Sequence, residues 1–188
     1  MTDYTPNATA ASLLGFLHEG PLTGWELLAT AQARIGDFWS LTQSQVYREL
    51  AAMAAAGLIA AGERGPRARR PYRLTDTGRA AFATWAEREP GPETIRIPLL
   101  LAVCFGRALP PERLAAILAR HRATHAARLA AYEAERAGCA AWAAADPYGL
   151  ATLDFGIAYE RAVLGWFDSL PATLGEVAGS ASWVVGHE

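Results

Sequence analysis

Apolar residues recur at helical spacing along most of the chain, and the interruptions fall at glycine and proline. Ala8 to His18 is apolar at Leu13, Leu14, Phe16 and Leu17 and stops at Glu19-Gly20-Pro21, which predicts a first helix. Thr23-Gly24-Trp25-Glu26-Leu27 opens a second, with Thr23 as cap and Glu26 at the reciprocal capping-box position. Leu27, Leu28 and Ala31 give its inward face. After Gly36 and Asp37-Phe38-Trp39-Ser40, a third helix starts at Thr42, turns Val46, Leu50 and Met53 inward, and stops at Gly57. The period then shortens. Leu58 to Ala61 reads as a strand, Gly62 to Ala68 as a turn and Arg69 to Leu74 as the return strand of a two-stranded hairpin. Thr75 caps a further helix through Ala80, Phe82, Ala83 and Trp85.

The stretch Glu87-Arg88-Glu89-Pro90-Gly91-Pro92-Glu93 is charged and twice broken by proline, which marks a boundary. Beyond it the pattern is helical throughout: a short apolar segment around Leu99-Leu100-Leu101, a long helix from Pro110 to about Gly138, and a last one from Tyr148 to Leu170. The long helix carries a stripe of Leu114, Leu118, His121, His125, Leu129 and Tyr132. The last turns Leu153, Ile157, Glu160, Val163, Leu164 and Phe167 inward. The expected architecture is mainly α: a winged helix-turn-helix over residues 1–88, a linker at 89–93, an all-helical dimerisation and candidate effector-binding domain over 94–170, and a flexible tail at 171–188.

The third helix and the hairpin carry the candidate chemistry. Opposite the inward face stand Thr42, Gln43, Ser44, Gln45, Tyr47 and Arg48, side chains that reach base edges and phosphates. Arg64, Arg67, Arg69, Arg70 and Arg73 crowd the hairpin against one acid, Glu63. A polar helix followed by an arginine-rich hairpin has the form of a winged helix, with the helix in a major groove and the hairpin along the phosphates. The apolar run from Ile97 to Phe105 calls for cover by a second subunit, and two-fold symmetric half-sites in DNA call for the same dimer.

Charge changes this picture little. The formal net charge of −2 excludes a protein coated in positive charge and leaves room for a local basic patch. All positive side chains are arginine, with no lysine, a bias of GC-rich bacterial genomes. Cys104 and Cys139 make no disulfide framework and point to inert, buried thiols in a reducing cytoplasm. Met1 to Asn7 lack a secretory pattern, and no apolar run approaches the roughly 20 residues that span a bilayer. His121 and His125 could face a metal from one side of a helix. Arg122 stands where the zinc-protease pattern needs its glutamate, and no third ligand is evident, so the pair reads as the edge of a helix seam. No catalytic, cofactor or metal residues are assigned.

Gly24-Trp25-Glu26-Leu27, Tyr47-Arg48-x-Leu50, Gly57-Leu58-Ile59 and Arg70-x-Tyr72-x-Leu74-Thr75-x-x-Gly78 together resemble the PadR-type transcriptional regulators. The resemblance covers the winged-helix half and the helical half, with Trp25 where the family usually has tyrosine. It implies a dimeric repressor on a two-fold symmetric operator in double-stranded DNA, released by a small, often aromatic, effector. It also implies dimer contacts through the C-terminal helices. Trp142, Tyr148, Phe155, Tyr159, Trp166 and Phe167 read first as core packing. Trp142, Phe155, Tyr159 and Trp166 are also the candidates to line an aromatic effector pocket. The alternative is a winged-helix module for protein interaction without specific DNA binding.

Overall fold

Two compact units, Met1–Pro92 and Glu93–Glu188, make up the computed structural model, which describes residues 4–63, 65, 69–139, 146–171 and 174. In the first unit, α1 (Ala8–Leu17), α2 (Gly24–Arg34), α3 (Gln43–Ala55) and α4 (Asp76–Ala86) surround a small antiparallel sheet of β1 (Leu22–Thr23), β2 (Ile59–Ala61) and β3 (Pro71–Leu74). Four of these boundaries are set by short polar side chains. Asn7, Thr23, Thr42 and Thr75 each accept a hydrogen bond from a first-turn N–H of the helix they precede. Gly57, at φ +74°, takes the left-handed conformation that lets the Leu58 N–H reach back to the Met53 carbonyl and close α3.

The sheet corrects one expectation. It has three strands in the order β1-β3-β2, where the pattern predicted a two-stranded hairpin. Ile59 pairs with Leu74, Ala60 with Arg73 and Ala61 with Tyr72, while Leu22 and Thr23 pair with Tyr72 and Pro71. Two residues between Pro21 and Gly24 are too few to show a period of their own; only pairing with β3 makes them a strand. The core joins Leu13, Leu14, Leu17, Leu27, Val46, Leu50, Met53, Ile59 and Leu74, so α1, α2, α3 and the sheet share one apolar centre.

The second unit holds α5 (Pro98–Cys104), a 3-10 turn at Gly106–Ala108, α6 (Pro111–Gly138) and α7 (Pro147–Ser169). Leu99, Leu114, Leu118 and Phe167 are buried together. The α7 face turns Ile157, Glu160 and Phe167 fully inward, with Leu153, Val163 and Leu164 half-buried. The α6 stripe is less uniform than its spacing suggests. His121 is exposed, while His125 is half-buried and bonds Glu160 of α7. Cys139 is buried, but Cys104 is exposed, against the expectation of two buried thiols. No helix among the described residues is long and apolar enough to cross a membrane.

Candidate nucleic-acid interface

The outward side of α3 exposes Gln43, Ser44, Tyr47 and Arg48. Its first turn is held by a reciprocal cap. The Gln45 N–H donates to the Thr42 hydroxyl at 3.3 Å, and the Gln45 side-chain oxygen accepts the Thr42 N–H at 2.9 Å. Gln45 is half-buried in this arrangement and acts on the start of the helix, so it and Thr42 are placed first as capping residues. Ser44 shares a 3.1 Å hydrogen bond with the Thr42 hydroxyl. Gln43, Tyr47 and Arg48 lie further out on the same exposed side.

Tyr47 lies against α2. A Cβ built on Gly24 would fall 2.8 Å from its Cε1, so glycine at this point admits the ring, which keeps 44% of its surface exposed. Arg48 points outward, with its guanidinium 3.6 Å from one oxygen of Glu49. Glu49 itself is buried, and periodicity missed it. It shares the inward face with Val46, Leu50 and Met53, and a charged residue at that position was the signal that α3 is tied to something polar. The tie is to the N-terminal segment. The Tyr4 hydroxyl donates to Glu49 at 3.1 Å and the Asn7 amide at 3.3 Å, while the Asn7 oxygen caps α1 at 2.9 Å. Burial, then the neighbouring Glu49 carboxylate, pushes the Tyr4 hydroxyl up to about 12.

On the hairpin, Arg69, Arg70 and Arg73 are exposed. The Arg70 Nε donates to the Gly62 carbonyl at 3.2 Å and braces the turn. Arg73 stands opposite Ala60 in the ladder. Arg69 lies near Glu26 of α2, whose carboxyl is held below its usual range by the Thr23 N–H and hydroxyl, with Arg69 adding a smaller pull. Arg64 and Arg67 fall outside the described residues.

The effector candidates among the described residues all lie along α7. Phe155 and Tyr159 are 64% and 42% exposed on α7, Trp166 is half-buried against Phe167, and Trp142 falls outside the described residues. Tyr148, expected in the core, is 84% exposed. In the α6–α7 seam, Glu160 is buried and engages His125 Nδ1 at 2.5 Å and the Arg128 guanidinium at 3.1 Å.

Comparison with known proteins covers both units. Residues 13–84 match the model of the transcriptional regulator PadR-like family, and residues 95–174 match the virulence activator alpha C-terminal model. The negative transcriptional regulator PadR of Bacillus subtilis is 25% identical over 175 residues, covering 87% of this chain and 95% of that one. The crystal structure of Bacillus subtilis PadR with operator DNA superposes at a TM-score of 0.75 with 23% identity, over 89% of this chain and 99% of that one. The same regulator with p-coumaric acid gives 0.71 and 24%, over 90% and 100%.

Proposed function

This chain belongs to the PadR-like family of transcriptional regulators, and from that premise we propose that it is a dimeric repressor whose operator affinity is lowered by a small, aromatic effector. It acts in the cytoplasm of a bacterial cell and carries no catalytic role. The related Bacillus protein is a negative regulator known with operator DNA and with p-coumaric acid, which supports both partners. The protein-interaction module without DNA is not favoured.

One observation carries the assignment of the surface. The exposed Tyr47–Arg48 side of α3 and the Arg69–Arg73 segment both adjoin the start of α2, the first through Gly24 and the second through the pairing of Thr23 with Pro71. A groove-reading helix and a phosphate-holding strand need that adjacency. In this reading Gln43, Ser44, Tyr47 and Arg48 meet the major groove, and Arg69, Arg70 and Arg73 meet phosphate. The exposed apolar side chains of α5 and α7 pair two copies. An effector seated among the α7 aromatics would change the spacing of two recognition helices, which must match half-sites about 34 Å apart.

Fluorescence anisotropy with DNA from upstream of the protein's own gene, over a range of salt, tests the reading. Wild type should bind with strong salt dependence. Arg69→Ala/Arg70→Ala should weaken binding on every sequence and flatten the salt slope by about 2, roughly one per lost phosphate contact. No wild-type binding to that DNA or to randomised DNA at low salt would overturn it.

A further inference from the structure

We propose that Trp25 is a DNA-backbone contact, its indole N–H donating to a phosphate oxygen and its ring lying on the adjoining deoxyribose. The inference rests on the DNA-binding reading and extends its surface onto α2. Trp25 occupies the second position of α2, in the same first turn that adjoins both elements already assigned. On one side Gly24 admits the Tyr47 ring. On the other, Leu22 and Thr23 are hydrogen-bonded to β3 opposite Tyr72 and Pro71, and Arg69 is close enough to act on Glu26. A DNA backbone that touches both Tyr47 and the arginines of the Arg69–Arg73 segment therefore passes close to the start of α2, where Trp25 is exposed.

The side chain suits that partner and explains little else. Trp25 is 67% exposed, more than any other described tryptophan, and takes no part in the core that its neighbours Leu27 and Ala31 help to build. An indole offers one donor and no acceptor, which matches a phosphate oxygen, and an apolar face, which matches a sugar. The acid beside it does not oppose this. Glu26 is turned back into the cap, its carboxylate accepting the Thr23 N–H at 2.8 Å with Arg69 nearby. Because sugar and phosphate are the same at every step, the contact strengthens binding without selecting a sequence.

The test uses full-length protein in the same anisotropy assay, on upstream and on randomised DNA, with Trp25→Phe and Trp25→Ala beside Arg69→Ala/Arg70→Ala. Trp25→Phe keeps a ring and loses the donor. It should weaken binding about tenfold on both DNAs, the scale of one hydrogen bond to a charged group, and Trp25→Ala should weaken it further. The salt slope should stay at the wild-type value, since no charge is removed, whereas the arginine pair flattens it. An unchanged thermal melt for Trp25→Phe separates the contact from folding. Wild-type binding by both Trp25 variants while the arginine pair loses it would overturn this inference and leave the DNA reading standing. A loss on upstream DNA alone would also overturn it, because a backbone contact cannot tell the two apart. If the arginine pair too binds as wild type, the DNA surface itself is wrong.

Discussion

The two units keep their apolar side chains in opposite ways. In the first, Leu13, Leu14, Leu27, Val46, Leu50 and Met53 are wholly buried at one centre shared by three helices and a sheet. In the second, Leu101, Phe105, Tyr148 and Phe155 are 63–84% exposed, while the α6–α7 seam is crossed by Arg122–Asp168, Arg161–Glu133, Arg136–Asp154 and the buried Glu160 cluster. The first unit closes this core within a single copy, with Trp25, Phe38 and Trp39 exposed outside it. The second spends its seam on charge and leaves apolar surface outward, the pattern of a surface completed by another chain. On the proposed reading, the contrast would separate a DNA-reading scaffold from a dimerising and sensing one, within a single chain of 188 residues.

The largest effect should come from the outward face of the second unit. Phe155→Arg places a charge where the proposed dimer excludes water, and should weaken self-association at least about a hundredfold. Sedimentation velocity at matched concentrations checks it, with the first unit's core signal in circular dichroism retained. A variant that stays dimeric removes the α7 aromatic face from the interface and blunts the contrast. Next is the seam. Glu160→Ala leaves His125 and Arg128 without their shared carboxylate and should cost about 3 kcal/mol in urea unfolding, at the low end for a broken buried pair because Arg128 keeps solvent. Asp168→Ala breaks an exposed pair in the same seam and should cost under about 1 kcal/mol. Equal costs would mean that burial does not set the difference.

Effects of about the size of the exposed pair sharpen the other side of the comparison. Thr42→Ala removes the α3 cap and should cost the fold about 1 kcal/mol, whereas Ser44→Ala should leave stability within about 0.5 kcal/mol and be felt in DNA binding. Urea midpoints and anisotropy on the same preparations divide capping from contact. A Thr42→Ala variant with unchanged stability would show that the cap does not hold α3.

The caps were legible because they are local. Thr23 with Glu26, Thr42 and Thr75 each bond to an N–H three residues away, so spacing alone announces them. The inward faces of α3 and α7 were legible for the same reason, since a helix repeats its directions every few residues. Glu49 shows where this fails. Its position on the inward face is local information, but its partners Tyr4 and Asn7 lie 45 and 42 residues away. Gln45 stands on the polar face expected to meet DNA, and its hydrogen bonds to Thr42 give it a second task at the helix start.

Sequence by itself determined the helices, their caps, the proline-rich boundary and the arginine patch, all of which rest on short-range periodicity, backbone preference and charge. Tertiary structure alone decided the third strand, the exposure of Tyr148 and Phe155, the bonding of Glu160 to His125 and Arg128, and the contact of Tyr47 with the start of α2. Each of these depends on which distant segments meet. A side chain's periodicity says which way it points from its own helix, and only the packing of other elements says whether anything is there to meet it.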